Sequence, residues 1–191
     1  MEGGIGYPPI SRGVMKIVSI DPSLRNTCLV YSELVDGSIR IIDSITIETE
    51  KSKLKQVRAS SDLIHRCDVL HRAVIRFIKK VDPQVIFVET PSGSQSASGM
   101  KNYGVSCYLI ATLTPRAIEV TPTEVKKATV GTKTASKHEM IAWAFEKHPE
   151  APWTLRNDFP LAKQEHMADA IAIIYAGMVT PAYSWLMSAI K

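Results

Sequence analysis

Residues 15–31 read MKIVSIDPSLRNTCLVY, and this stretch decides how the rest of the chain is interpreted. The alternation and the β-branched residues of segment 16–20 predict a strand. Asp21-Pro22-Ser23 is a turn signature, and apolar residues resume at 28–31 as a second strand would. An acid at the end of a buried strand either caps the turn or holds a metal or faces a phosphate. Asp21 alone does not decide between these roles.

Strand and helix patterns alternate along the rest of the chain. Asp36-Gly37 predicts a hairpin turn, because Gly tolerates a positive φ there. Helical spacing of apolar residues predicts a long helix over 56–80, and the apolar run 85–88, which ends at Glu89, predicts a strand buried on both faces. The other predicted elements are a strand over 39–47, a helix over 100–113, a strand over 116–120, a capped helix start at 121–124, and helices over 135–147 and 161–179, with an irregular stretch over 149–160. This order predicts one α/β domain with a mixed sheet.

Length and composition are those of one globular domain with a sizeable core. The 191 residues are 45% hydrophobic and 22% charged, and the net charge of +4 permits a nucleic-acid partner without requiring one. No run approaches the ~18 apolar residues of a membrane span, so no membrane partner is expected. The three cysteines are widely separated in apolar runs, which favours reduced thiols in a cytoplasmic protein over a zinc site.

The domain is predicted to occupy residues 15–180. Residues 1–14 are rich in Gly and Pro and do not have the apolar segment of a signal peptide. They are therefore expected to form a flexible leader, with Met15 as an alternative start. Residues 181–191 are expected to form a tail that adds a turn or two of helix.

Four candidate ligands come from three separate elements. Asp21 and Glu89 each end a strand, and in parallel neighbouring strands their carboxylates would lie side by side at the edge where ligands bind. His166 and Asp169 are three residues apart on the last long helix and share one face. Taken singly, these residues have ordinary interpretations as a turn acid, a satisfied histidine and a solvated acid. Together they favour a site for Mg²⁺ or Mn²⁺, because clustered acids repel one another unless a cation lies between them.

Four segments resemble the RuvC family of Holliday-junction resolvases, in the family's order and over about residues 15–179. They are IVSIDPSLRNTCLVY, VIFVETP, VTPTEVKKATVGTKTASKHEM and HMADAIAII. The most specific parts are VG-x-x-x-A-x-K and the H-x-x-D-A helix that follows it. The resemblance implies an RNase H-like fold, in which a mixed five-stranded sheet of three antiparallel and then two parallel strands is flanked by helices.

The resemblance also implies the metal ligands. The family's four ligands correspond to Asp21, Glu89, His166 and Asp169, although many members have Asp in place of this histidine. Two ions of Mg²⁺ or Mn²⁺ per active site would clamp the scissile phosphate. Asp21 is expected to bridge them, Glu89 to hold the ion that activates water, and His166 and Asp169 to complete the coordination of the other ion.

Basic residues divide into two groups. The family's active-site lysines correspond to Lys126 and Lys137, which would neutralise charge that grows on the phosphate. For a lysine on a helix, the ordinary alternative is a solvated basic face. The residues expected to contact phosphates of the DNA backbone are Lys127, Lys133, Lys51, Lys53 and Arg58.

The function implied is a crossover junction endodeoxyribonuclease, a metal-dependent enzyme that resolves four-way junctions by paired symmetric nicks. Phage-encoded relatives of this type often accept other branched DNAs, so cleavage of such DNA is left open as an additional activity. The enzyme would act in the cytoplasm of a bacterial cell or of a phage-infected host. Two symmetric nicks require two active sites related by a two-fold axis, so the resemblance implies a homodimer. The charge-poor helix over 100–113 is the expected dimer surface, with an ordinary core helix as the alternative.

Three other functions remain open at this stage. A different RNase H-like enzyme would cut RNA–DNA hybrids, and a junction-binding protein would have lost catalysis, which the intact set of acids argues against. An ATP-binding protein of the actin/hexokinase type also begins with strand, Asp and turn, but it needs glycines where this chain has residues 22–25, PSLR. The loop 90–96, TPSGSQS, also lacks the aromatic residue that bacterial RuvC proteins generally carry there.

Overall fold

The computed structural model describes residues 13–91, 93 and 95–190, so the predicted leader lies almost entirely outside the described residues. The strands are β1 (Val14–Asp21), β2 (Asn26–Val35), β3 (Ser38–Glu48), β4 (Val85–Glu89), β5 (Ile118–Val120), β6 (Leu155–Arg156) and β7 (Phe159–Pro160). The helices are α1 (Ala59–Val81), α2 (Ala97–Ala111), α3 (Pro122–Thr129), α4 (Lys137–Lys147), α5 (Glu165–Met178) and α6 (Pro181–Ile190), with a 3₁₀ turn at Ala162–Gln164 before α5.

Five strands form the main sheet in the order β3-β2-β1-β4-β5. The first three strands of the chain are antiparallel, and β4 and β5 run parallel to β1. The predicted mixed sheet is therefore confirmed. Asp36 and Gly37, with φ of 49° and 79°, make the tight turn between β2 and β3 that this dipeptide predicts.

Helices cover both faces of this sheet. Alternate side chains of β1 point to opposite faces, so Ile17 packs in the cluster that contains α5, and Val18 packs in the cluster that contains α1 and α2. Phe87 and Val88 of β4 divide in the same way. Because both faces are buried, β4 is continuously apolar up to Glu89, and the central residues 17–20 of β1 are all buried, with Ser19 as their one polar residue.

Side-chain caps determine where two helices begin. α2 starts at Ala97, three residues before the predicted position, because Ser96 accepts a hydrogen bond from a backbone N–H of the first turn. α4 starts at Lys137, two residues later than predicted, because Ser136 and Glu139 form a capping box. The capping box predicted at the start of α3 is confirmed.

The last residues form a packed helix where the sequence suggested a turn or two. Tyr183 and Leu186 of α6 are buried, and the ring of Tyr183 lies 5.5 Å from that of Phe87, centroid to centroid. The stretch 149–160, expected to be irregular, contains the short pair β6 and β7. No single helix in the described part of the chain is long and apolar enough to cross a membrane; Ala162–Met178 and Pro181–Ala189 have the required length and composition only as a pair, which is bent by 67°.

Candidate active site

The ends of β1 and β4 bring two acids together. The two strands are parallel, with Ile20 beside Val88, so Asp21 and Glu89 follow as the next residues on neighbouring strands. By the alternation of side chains, both carboxylates lie on the face that α5 covers. The juxtaposition expected from the sequence is therefore present.

The first turns of α5 supply the other two candidate ligands. His166 Nδ1 lies 2.9 Å from Oδ2 of Asp21, within hydrogen-bond distance. Asp169, one turn later on the same helix, lies close enough for its charge to affect the pKa of Glu89. All four residues predicted as ligands therefore converge where β1, β4 and α5 meet.

Two further polar residues join this cluster, and the sequence did not point to either. The amide Nδ2 of Asn26, the first residue of β2, lies 3.1 Å from Nε2 of His166. Glu165 Oε1 lies 3.7 Å from the same nitrogen. Glu165 is adjacent to His166 in the sequence, which is a signal that could have been used. Asn26 approaches only because β2 turns back beside β1, and no local pattern indicates that contact.

Two lysines approach the acids from α3 and α4. Lys137 Nζ lies 2.7 Å from Oε2 of Glu165, and this hydrogen-bonded ion pair raises the pKa of Lys137. The charge of Asp169 acts on the same ammonium group. The positive charge of Lys126 partly opposes the rise in the pKa of Glu89. The structure thus brings both predicted lysines to the acid cluster.

Burial and mutual repulsion make two of the carboxyl groups unusually weak acids. Burial raises the pKa of Glu89 to about 8, and the charges of Asp21 and Asp169 add to this shift. Burial likewise raises the pKa of Asp169 to about 7, with the charge of Asp21 as the next cause. The hydrogen bond to Asp21 raises the pKa of His166, against the effect of burial. The site therefore concentrates more negative charge than its surroundings neutralise.

The chemistry of these donors fits a divalent cation. Carboxylate oxygens with one imidazole are suitable ligands for Mg²⁺ and Mn²⁺, and a cation would favour the ionised forms of Glu89 and Asp169. Within residues 13–91, 93 and 95–190, however, no three Asp, Glu, His or Cys side chains already surround one point as a metal site requires. Asp21 and His166 instead bond to each other.

An open basic cleft lies beside the turn that follows Asp21. Its volume is about 700 Å³, and its walls include Arg25, Lys51 and Lys53. The two lysines were predicted from the sequence as DNA contacts, but Arg25 was not. Arg25 lies on the same cleft because a backbone hydrogen bond, from the N–H of Thr49 to the carbonyl of Arg25 at 2.9 Å, holds the two segments together. The other predicted DNA contacts, Arg58, Lys127 and Lys133, are exposed but do not line this cleft.

A second cleft, of about 570 Å³, lies beyond the end of β4. Thr90 and Pro91 form one side of it, and Tyr103 of α2 contributes to the other. Tyr103 is half-buried. Of the described residues that line this cleft, it is the one with an aromatic side chain. Residues 92 and 94 of the loop after Glu89 are not among those described.

Comparisons with known proteins agree with this fold. No protein-family model matches the chain. Two curated relatives, each named crossover junction endodeoxyribonuclease RuvC, come from Chelativorans sp. (strain BNC1) and Sinorhizobium medicae (strain WSM419). The first is 28% identical over 166 residues, covering 84% of this chain and 86% of the relative. The second is 27% identical over 165 residues, covering 84% and 88%.

Among solved structures, T. thermophilus RuvC in complex with Holliday junction substrate superposes with a TM-score of 0.65. The match covers 90% of this chain and 96% of that chain at 19% identity. A second structure, Thermus thermophilus RuvC, gives a TM-score of 0.60 at 18% identity over 91% and 97%. At such identities the likeness establishes the fold.

Proposed function

We propose that this chain, which belongs to the RuvC family, is a metal-dependent endonuclease that resolves four-way DNA junctions. The observation that carries the proposal is the convergence of Asp21, Glu89, His166 and Asp169 from three elements at one edge of the sheet. Buried carboxylates this close together repel one another and destabilise the fold, so their presence favours a functional role. The curated relatives that this chain resembles are named as crossover junction endodeoxyribonucleases.

The four clustered residues would hold two ions, Mg²⁺ or Mn²⁺. When bound, such ions supply an activated water and stabilise the leaving oxygen of the phosphodiester. Asp21 stands between Glu89 on one side and His166 on the other, which suits a ligand shared by both ions. Since His166 replaces a carboxylate common in the family, the site carries one negative charge fewer.

Lys137 and Lys126 would stabilise the charge that develops on the phosphate. Lys137 is exposed but held by Glu165, so its ammonium group is kept at the rim of the acid cluster. Lys126 is half-buried beside Glu89. Positive groups fixed in advance at the reacting phosphate lower the barrier more than groups that must move there.

The DNA backbone would cross the basic cleft formed by Arg25, Lys51 and Lys53. This cleft adjoins the turn after Asp21, so a phosphate bound there would lie near the scissile bond. Lys127, Lys133 and Arg58 would add phosphate contacts from the exposed surface. Such contacts carry no base information and weaken as salt rises.

A homodimer would place two such sites on one junction. Its surface would be α2, on which Met100 and Tyr108 are 48% and 46% exposed while Val105 and Leu109 face the core. Exposed large apolar side chains on a charge-poor helix suit a self-complementary contact. The three cysteines are free thiols, which is compatible with action in the cytoplasm of a bacterial cell or phage-infected host.

A labelled synthetic four-way junction tests the proposal. The wild-type protein should cut it with Mg²⁺ or Mn²⁺ and not with EDTA. Asp21→Asn should lower the cleavage rate by orders of magnitude while junction binding in a mobility-shift assay survives, whereas Asp36→Asn, in the hairpin turn, should cleave normally. Wild-type cleavage by Asp21→Asn would refute the assignment of the site. Preferential cleavage of an RNA–DNA hybrid would identify the hybrid, and not the junction, as the substrate.

A further inference from the structure

We propose that Asn26 is a positioning residue that orients His166 and determines which of its ring nitrogens carries the proton. This inference rests on the proposed function, because it concerns how His166 becomes available as a metal ligand. The starting observation is a chain of two contacts through the imidazole. Nδ1 of His166 faces Oδ2 of Asp21 at 2.9 Å, and Nε2 faces Nδ2 of Asn26 at 3.1 Å.

The position of Asn26 is rigidly defined by the turn after Asp21. Its backbone N–H donates to Oγ of Ser23 at 2.9 Å, and that hydroxyl donates to the carbonyl of Asn26 at 3.0 Å. Thr27 ties the other side of the turn, since its hydroxyl donates to the carbonyl of Ser23 at 2.6 Å and accepts from the N–H of Ser23 at 3.1 Å. The amide of Asn26 is thus presented to His166 from a fixed base.

The donors and acceptors in the chain determine the tautomer. An ionised carboxylate can only accept hydrogen bonds, so the nitrogen that faces Asp21 must carry the proton. Nε2 of a neutral His166 is then an acceptor, which matches the N–H donor that Asn26 presents. In this arrangement both ring nitrogens are occupied, and His166 has no free lone pair for a cation.

A ligating histidine needs the opposite arrangement. It presents a bare nitrogen to the ion and donates its other N–H to an acceptor, often a carbonyl. Because a side-chain amide carries both a donor and an acceptor, a half-turn of the Asn26 amide offers Oδ1 to an Nε2–H. Nδ1, which already faces Asp21, is then free to ligate. Asn26 can therefore satisfy His166 in both states without moving its backbone, which neither a leucine nor an alanine can do.

The nitrogen shifts of His166 test this inference without any variant. In long-range ¹H–¹⁵N spectra of the metal-free wild-type protein, recorded at a pH high enough for the ring of His166 to be neutral, we expect the pattern of an Nδ1–H tautomer. Addition of diamagnetic Mg²⁺ should change it to the pattern of an Nε2–H tautomer. An Nε2–H tautomer in the metal-free protein, or the same tautomer before and after Mg²⁺ binds, would overturn the proposal.

Variants supply a second, independent measurement. Asn26→Leu keeps the size of the side chain and removes the amide, so Mn²⁺ affinity measured by calorimetry without DNA should fall about 10–100-fold. Asn102→Leu is the matched control, because its Oδ1 accepts from the N–H of Leu24 in the same turn at 2.6 Å but does not contact His166. Asn26→Ala serves where the leucine variant does not fold. Wild-type Mn²⁺ affinity in a folded Asn26 variant, or an equal loss in the Asn102 variant, would refute a positioning role. A protein that shows the tautomer change but cuts no junction would refute the proposed function and leave this inference standing.

Discussion

Gly177 of α5 lies directly against the ring of Phe87 in the sheet, and Gly177→Ala should disturb both stability and the active site. A Cβ at this position would lie 2.5 Å from Cγ and from Cε1 of Phe87, and closer still to Cδ1. Phe87 is fully buried between β4 and α5, with Tyr183 against its ring, so it has no free space to enter. The added methyl group must therefore push α5 away from β4.

The magnitude follows from two opposed effects. Overpacking of a core costs about 1–3 kcal/mol, and a rigid buried ring puts this site at the upper end, ~3 kcal/mol. Alanine is about 1 kcal/mol better than glycine inside a helix, which offsets part of this cost. The net destabilisation of ~2 kcal/mol should lower Tm by about 4–8 °C for a domain of this size. Because α5 carries His166 and Asp169 and β4 carries Glu89, cleavage should also slow, by up to about 100-fold for a shift of ~1 Å.

Gly104→Ala is the matched control, since Gly104 lies on the exposed side of α2 with no atom within 4 Å of the new Cβ. This change should raise Tm by about 2–3 °C through helix propensity alone. Differential scanning calorimetry in EDTA, followed by single-turnover junction cleavage well below either Tm, measures both effects. Analytical ultracentrifugation verifies that each variant keeps the wild-type oligomeric state. A Gly177→Ala protein as stable and as active as wild type would refute the reasoning.

Three further predictions concern the site. The pKa of Glu89 is raised from 4.5 to about 8, and that of Asp169 from 3.8 to about 7. Between about pH 4 and 8 the folded metal-free protein therefore binds more protons than the unfolded chain. Its Tm in EDTA should therefore fall as pH rises through this range, and Glu89→Gln should flatten the profile; a Tm that rises with pH would contradict the assignment. Cleavage activity should be higher in Mn²⁺ than in Mg²⁺, because the imidazole of His166 is a softer ligand than a carboxylate and leaves the site with one negative charge fewer. His166→Asp should narrow this difference. Identical metal titrations of wild type and variant would contradict the prediction. The loop 90–96 has no aromatic residue to stack on a base, an interaction that contributes ~1–3 kcal/mol. Nicks mapped on junctions with randomised centres should therefore fall at several positions, with only a modest sequence preference. A single sharp tetranucleotide preference would show that another residue reads the bases.

The sequence by itself determined the five strands of the main sheet, the helices α1 to α5 and their order, but not β6, β7 or the full extent of α6. Alternation and continuous apolar runs located β1 and β4, the Asp36-Gly37 pair located the hairpin, and the pattern 121–124 located the start of α3. These signals are local, because they reflect backbone geometry and the burial of one face or both faces of an element. The acids at strand ends could be paired in advance because parallel neighbouring strands end at the same edge of a sheet.

Only the tertiary structure decided what surrounds those acids. Asn26 and His166 are 140 positions apart, and their contact depends on how β2 turns back beside β1 and on how deeply α5 lies against β4. At Gly177 the helix leaves no room for a side chain over the ring of Phe87, and no periodicity in the sequence reveals this contact. The pairing of Lys137 with Glu165 and the burial of α6 have the same origin. Contacts between distant segments depend on packing of the whole core, whereas sequence patterns report only the preferences of neighbouring residues.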